Sequence, residues 1–282
     1  MEAKKLHIEK NTTQETLVIP LYARKLCTRL FPSLFSDPAA MRLIDRLDYD
    51  FSSIEKQSDG LMQRFGALEV AMRQTDLEIE VKEYLSRHPR AAVVNLGCGL
   101  DQTAENCDNG SCLIYNADMP DVIAVRNELI PAGARTQNLA CDLNDTSWFE
   151  KIDHTDGAVF FASGVFYYFQ IPDAQKLINS MAAYFPGGKL VFDTAGKAAL
   201  KMMLKTFIKQ AGIQNVGAYF HVNKIETDVL PWLKHAKASG KGYMLGYHDL
   251  KDPCVPRFFR FLSRVGDHCM KMQILRLDFD NK

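Results

Sequence analysis

No apolar stretch in this 282-residue chain reaches the ~18 residues needed to cross a bilayer, so no membrane partner is expected. The opening MEAKKLHIEKNTTQ has no apolar core of the signal-peptide kind, and the expected location is the cytoplasm. Basic runs are missing too. Lys+Arg and Asp+Glu both number 34, and with no cationic patch in the sequence nucleic acid is not expected as a partner. The seven cysteines (Cys27, Cys98, Cys107, Cys112, Cys141, Cys254 and Cys269) contain no CxxC pair. Neither a zinc site nor a thioredoxin-type motif is indicated, no metal is expected, and buried reduced thiols account for the residues. Repeats, low-complexity tracts and a clear linker are also lacking. What is present, 47% hydrophobic and 24% charged residues, is the composition of a globular protein with a sizeable core.

Residues 1–90 read as helical. LVIPLYARKLCTRLF has apolar residues at helical spacing, with Pro20 expected to interrupt them. Asp37-Pro38 reads as an N-cap followed by proline at the first helical position. LMQRFGALEVAMRQTDLEIEVKEYLSRH is a long amphipathic pattern ended by Pro89. The texture then changes: AAVVNLG, CLIYNAD, TQNLACD, GAVFFASG and KLVFDTAG alternate with the helical patterns PDVIAVRNELI, TSWFEKI and PDAQKLINSMAAYF. Continuous apolar strands separated by helices predict a doubly wound, mostly parallel α/β sheet. Further on, AALKMMLKTFIKQAG reads as a helix stopped by Gly212, GAYFHVN and GYMLGYH as short strands, and CMKMQILRLDF as an antiparallel last strand. The expected organisation is one structural domain, with residues 1–90 a helical cap or lid and residues 91–282 the core with its C-terminal pocket insertions.

In open α/β sheets ligands bind beyond the carboxyl ends of the strands, so the residues ending each strand are the candidates. These are Gly97, Gly99 and Asp101; Asp118 and Met119; Asp142 and Leu143; Ser163 and Gly164. Gly97 and Gly99 let the backbone approach a ligand. Asp118, about twenty residues further on, can accept from ribose hydroxyls, a feature shared by NAD and S-adenosylmethionine sites. Two details favour the second. A dinucleotide fingerprint wants a third glycine where Gln102 stands, and Asp101 puts a negative charge where a pyrophosphate would need a free helix N-terminus. Asp142 can accept from an adenine amino group, with the Leu143 amide reaching a ring nitrogen. Asp118 and Asp142 as simple helix caps are the structural alternative.

VVNLGCGLDQT…DNG…YNADMPDVIAVRNELI resembles the leucine carboxyl methyltransferase family, including the related polyketide O-methyltransferases. The likeness extends to ETLVIPLYARKL…DPAAMRLIDRLDYDFS upstream and to ACDLND, ASGVFYYF and FPGGKLVFDTAG downstream, roughly residues 15–196. The resemblance implies a class I, S-adenosylmethionine-dependent methyltransferase with a seven-stranded Rossmann-like sheet and a helical N-terminal lid. It implies that Arg73 grips the cofactor carboxylate, that Gly97 lies at the methionyl end, Asp118 at the ribose, and Asp142 with Leu143 at the adenine. It places Tyr22 and Arg24, in PLYARK, over the active site in contact with substrate or lid. Ser163 stands where the family often has glutamate, and Gln102-Thr103 where bacterial relatives often read Thr-Arg. Both departures point away from a protein substrate and toward a small-molecule acceptor.

Tyr168, and Tyr243, Tyr247 and His248 of GYMLGYHDL, are candidates for lining the acceptor pocket. No catalytic base is assigned: a carboxylate acceptor is already ionised at neutral pH, whereas a hydroxyl would want one. The expected function is therefore O-methylation of a small molecule. The competing readings are a cofactor-binding protein without turnover and an NAD-linked oxidoreductase.

Overall fold

In the computed structural model residues 5–8, 15–204 and 217–281 are described. Before residue 91, where the sequence predicts only helices, there is also one short parallel pair, β1 (Leu6–His7) with β2 (Leu47–Asp48). The helices are α1 (Glu15–Leu30), α2 (Pro38–Asp45), α3 (Ser52–Gln57) and α4 (Leu61–Arg87). Asp37 caps α2 as expected, its Oδ1 accepting from the Ala40 amide at 2.8 Å, with Pro38 leading the helix. Pro20 does not interrupt α1. Buried Val18, Leu21, Leu26 and Cys27 on either side of it hold one face of the helix in the core, and that packing outweighs one lost backbone hydrogen bond.

The alternation predicted after residue 91 forms β3 (Ala92–Leu96), α5 (Thr103–Asn106), β4 (Leu113–Asp118), α6 (Pro120–Leu129), β5 (Thr136–Ala140), β6 (Ala158–Ala162), α7 (Ile171–Tyr184) and β7 (Lys189–Thr194). TSWFEKI is a 3-10 turn at Thr146–Lys151 rather than an α-helix. The chain closes with α8 (Lys197–Met203), α9 (Ile225–Asp228), β8 (Ala236–Gly242), α10 (Arg257–Cys269) and β9 (Gln273–Phe279). GAYFHVN and GYMLGYH are not strands; Gly212 and the end of the predicted helix before it lie outside the described residues.

The sheet has seven strands in the order β5-β4-β3-β6-β7-β9-β8, parallel except for β9, which is antiparallel to both β7 and β8. The order reverses between β3 and β6, which places a crevice at the carboxyl ends of the strands around that point. Every residue of β3, β6 and β7 is buried, because successive side chains serve opposite faces. Val93, Val159, Phe161 and Val191 pack under the N-terminal helices, whereas Val94, Phe160, Leu190 and Phe192 pack under α7. Among the described residues no helix is long and apolar enough to cross a membrane.

One ion-pair network pins α4 to the sheet. Glu80, 1% exposed, takes Lys189 Nζ at 2.6 Å on Oε2 and the Tyr247 hydroxyl at 2.7 Å on Oε1, with Arg276 at 3.5 Å. Burial pushes the Glu80 carboxyl up, but the bonds from Lys189 and Tyr247 outweigh it and hold the group below its ordinary value. Its stabilising contribution is thus present above the unfolded carboxylate range and is lost as pH falls through the lower folded value. Lys189→Met leaves Glu80 short of its main partner and is expected to cost about 3 kcal/mol, measured by urea unfolding. The double variant Glu80→Met/Lys189→Met should recover most of that loss.

Candidate cofactor site

The turn after β3 needs glycine. Gly97 and Gly99 have φ of +65° and +49°, the left-handed region. A Cβ on Gly97 would overlap Val165, and one on Gly99 would lie 2.9 Å from Leu17 Cδ2. The turn is held at both ends. Gly97 and Cys98 amides donate to the Ala117 carbonyl at 2.8 and 3.1 Å. The Gly99 amide donates to Asp118 Oδ2 at 2.7 Å, and the Met119 amide to Asp118 Oδ1 at 2.8 Å. Burial pushes the Asp118 carboxyl above its ordinary value, with these two amides pulling the other way. Beyond the glycines, Asp101 Oδ1 accepts from the Thr103 amide and so sets a carboxylate at the start of α5, whose N-cap is Gln102.

Two residues that the sequence did not single out hold the loops beyond the strand ends, Arg126 the glycine turn after β3 and Asp193 the turn after β6. Arg126 on α6 is fully buried. Its Nη1 donates to the Gly99 carbonyl at 3.0 Å and the Asp101 carbonyl at 2.6 Å, and its Nη2 to Glu105 Oε1 at 2.8 Å. The signal was there: Arg126 shares the buried face of PDVIAVRNELI with Val122 and Leu129. Asp193 is the second, a carboxylate on the fully buried strand β7 that accepts from Arg73 Nη1 at 2.9 Å and from the Gly164 amide at 2.6 Å.

A cleft of about 300 Å³ opens over the carboxyl ends of β3, β4 and β5. Gly97, Asp118, Met119, Asp142, Leu143 and Tyr168 all line it. Asp142 is exposed there, its Oδ1 accepting from the Asn144 backbone and side-chain nitrogens at 2.9 and 3.0 Å, while Leu143 is buried. Among the described residues three aspartates (118, 142 and 173) line the cleft and no Lys, Arg or His does.

The remaining candidates stand outside that lining. Gly99 faces α1, and Ser163 is half-buried at the end of β6. Arg73 lies beside Gly164, bonded to Asp193. Tyr22 is buried among the N-terminal helices, stacked on Phe51 at 5.7 Å. Arg24, 5% exposed, bonds Asp37 at 2.9 Å and the Leu100 carbonyl at 3.0 Å, tying α1 to the glycine turn. Tyr247 is turned to Glu80, under the Lys241 ammonium at 3.7 Å, and His248 Nε2 lies 2.8 Å from buried Asp76. The 243–250 segment is therefore fastened along α4, with Tyr243 donating to the Glu69 carbonyl at 3.0 Å and the Met244 amide to Asp76 at 2.9 Å. Among the described residues no group of three His, Cys, Asp or Glu is placed to hold a metal ion.

The sheet order and the cleft at its switch point define the fold of class I methyltransferases. The family model for leucine carboxyl methyltransferase matches residues 18–182, and the chain belongs to that family. It is 28% identical over 180 residues to the tetracenomycin polyketide synthesis O-methyltransferase TcmP of Streptomyces glaucescens, an alignment covering 64% of each protein. The match thus spans less than two thirds of that relative's length. Among solved structures, the fold is similar to a DUF574 family protein from Streptomyces avermitilis (TM-score 0.59, 11% identity, 92% of this chain and 97% of that one). It is also similar to the plantazolicin methyltransferase BamL, solved with a triazolic desmethylPZN analog and SAH (TM-score 0.52, 12% identity, 95% and 99%).

Replacing Arg126 tests its bracing of the turn. Arg126→Leu leaves two turn carbonyls without this donor, and Glu105 with the Asn116 amide but no counter-charge, and should cost about 3 kcal/mol in chemical unfolding. Arg126→Lys should restore only part of this, since one ammonium cannot reproduce the guanidinium fork.

Proposed function

We propose that this protein is an S-adenosylmethionine-dependent O-methyltransferase acting on a hydroxyl or carboxylate of a small molecule. The observation that carries the reading is the composition of the cleft, which among the described residues offers three carboxylates and no cation, beside a glycine turn where Asp101 sets a further carboxylate at the start of α5. Such a surface repels a pyrophosphate and suits a ligand rich in donors and positive at sulfur. The residues present fit that cofactor. At Gly97 a Cβ would collide with Val165, so only glycine lets the turn pack against this part of the cleft wall and keep its backbone on the cleft. Asp118, with both oxygens already oriented by amides, can accept from the ribose hydroxyls, and Asp142 with the Leu143 amide can read the adenine edge. Arg73, against Gly164, the residue before Val165 of the cleft lining, is the group for the cofactor carboxylate.

When bound, the cofactor supplies a methyl group on a sulfonium, a leaving group that needs no further activation. The chain's own task is then alignment and exclusion of water. Residues 1–90 act as the cap over the core of residues 91–282, with Arg24 joining the two at Leu100. Desolvation pushes the Tyr168 phenol up despite nearby Arg73, so it stays protonated at neutral pH and can donate to an acceptor but not take its proton. Tyr168 supplies no base, so an acceptor that ionises without one, a carboxylate or an acidic phenol, is the chemistry that fits. The name of TcmP, an O-methyltransferase of polyketide synthesis, supports a small-molecule acceptor.

Calorimetric titration tests the reading directly: S-adenosylhomocysteine should bind and NAD should not, and NAD binding alone would refute it. Asp118→Ala should weaken S-adenosylhomocysteine at least about tenfold, through loss of charge-assisted hydrogen bonds. Unchanged affinity would remove Asp118 from the ribose. A labelled-methyl screen of phenols and carboxylic acids then defines the acceptor.

A further inference from the structure

Arg73 is held more tightly than a lone cofactor contact requires. Its guanidinium lies against Gly164, where φ is +73° and an added Cβ would fall 3.1 Å from Nη1, 3.3 Å from Nη2 and 3.4 Å from Cζ. Only a glycine at the end of β6 leaves that position open. Asp193, 2% exposed, then fixes the group from the neighbouring strand. Its Oδ2 takes Arg73 Nη1 at 2.9 Å, its Oδ1 takes the Gly164 amide at 2.6 Å, and it hydrogen-bonds the Tyr167 side chain. One carboxylate thus locks a cation and the backbone it rests on into one unit, next to Val165 in the cleft wall.

We infer that Asp193 is a positioning residue for the cofactor's amino-acid end, acting through Arg73 and Gly164; this rests on the methyltransferase reading above. The Asp193 bond occupies a single N–H of a five-donor fork, and the buried Arg73 Nε has no acceptor among the described residues. The Arg73–Asp193 pair is neutral as a unit. A zwitterionic ammonium–carboxylate ligand can dock against it without leaving a net buried charge, whereas a simple anion or cation cannot. The site therefore selects the amino-acid end as a whole rather than only its carboxylate.

Two ligands separate this role from a general structural one. S-adenosylhomocysteine carries the amino-acid end; 5′-methylthioadenosine has the same adenosine and thioether without it. Asp193→Asn should weaken S-adenosylhomocysteine about tenfold in calorimetry and leave 5′-methylthioadenosine binding unchanged. Arg73→Ala/Asp193→Asn should bind S-adenosylhomocysteine no more weakly than Arg73→Ala, since the two act as one unit. If Asp193→Asn does not fold, Asp193→Glu, which keeps the charge but shifts the carboxylate, should show the same selectivity. Equal loss for both ligands, or loss for neither, overturns the assignment. Wild-type protein that binds neither ligand overturns the methyltransferase reading itself, and the assignment with it.

Discussion

The glycine turn after β3 depends on one buried guanidinium. Its carbonyls at Gly99 and Asp101 point away from solvent, and a buried carbonyl without a donor is costly. Arg126 serves both from α6 while Glu105 balances its charge. Arg24 does the equivalent for Leu100 from α1. With its carbonyls taken by these cations, the turn leaves its Gly99 amide to Asp118, and so orients the carboxylate that faces the cleft. The turn at the cleft is thus held by charges that stand outside the cleft lining.

The parts of the fold that were legible in the sequence are those where burial dictates residue type. VVNL, LIYNA, VFFA and KLVFD are buried on both faces, so their apolar runs announce a covered parallel sheet. Strand β8 was not legible. AKASGKG has neither apolar alternation nor β-branched residues, and it is a strand because its backbone pairs along the whole of β9. GYMLGYH misled in the opposite way. Its aromatic alternation suggests a strand, but Tyr243 and Met244 are buried in a turn, with Met244 at φ +53°, fastened to the acids of α4.

The site divides along the same line. Gly97, Asp118 and Asp142 could be found because strand ends in this fold class face a ligand, and all three line one cleft. Arg126 and Asp193 could not be found by that rule. Each is a charge inside an apolar element, and its partners come from distant segments: Glu105 and the turn for one, Arg73 on α4 for the other. A charge on a buried face needs a partner, so its occurrence in an apolar pattern is itself a signal, but it does not say where the partner is. Tyr22, Arg24 and Tyr247 show the converse. Their polar ends are turned to structural partners, and only the assembled chain places them outside the cleft lining.

Ligand discrimination at this cleft works by subtraction as much as by attraction. A dinucleotide needs a helix N-terminus with free amides, and Asp101 occupies that end of α5. It also needs cations or neutral donors for its phosphates, and the lining presents Asp118, Asp142 and Asp173 instead. The available cation, Arg73, is set to one side of Val165 and is already half-committed to Asp193. Under the proposed cofactor reading, the aspartates face the adenosine and a neutral ion pair stands at the edge, a graded surface that favours donors and positive charge in the middle and a zwitterion at the end. That gradient follows from which strand ends carry aspartate and from the glycine at position 164, just beyond β6. A change of ligand class would therefore require altering several strand ends together, not a single contact.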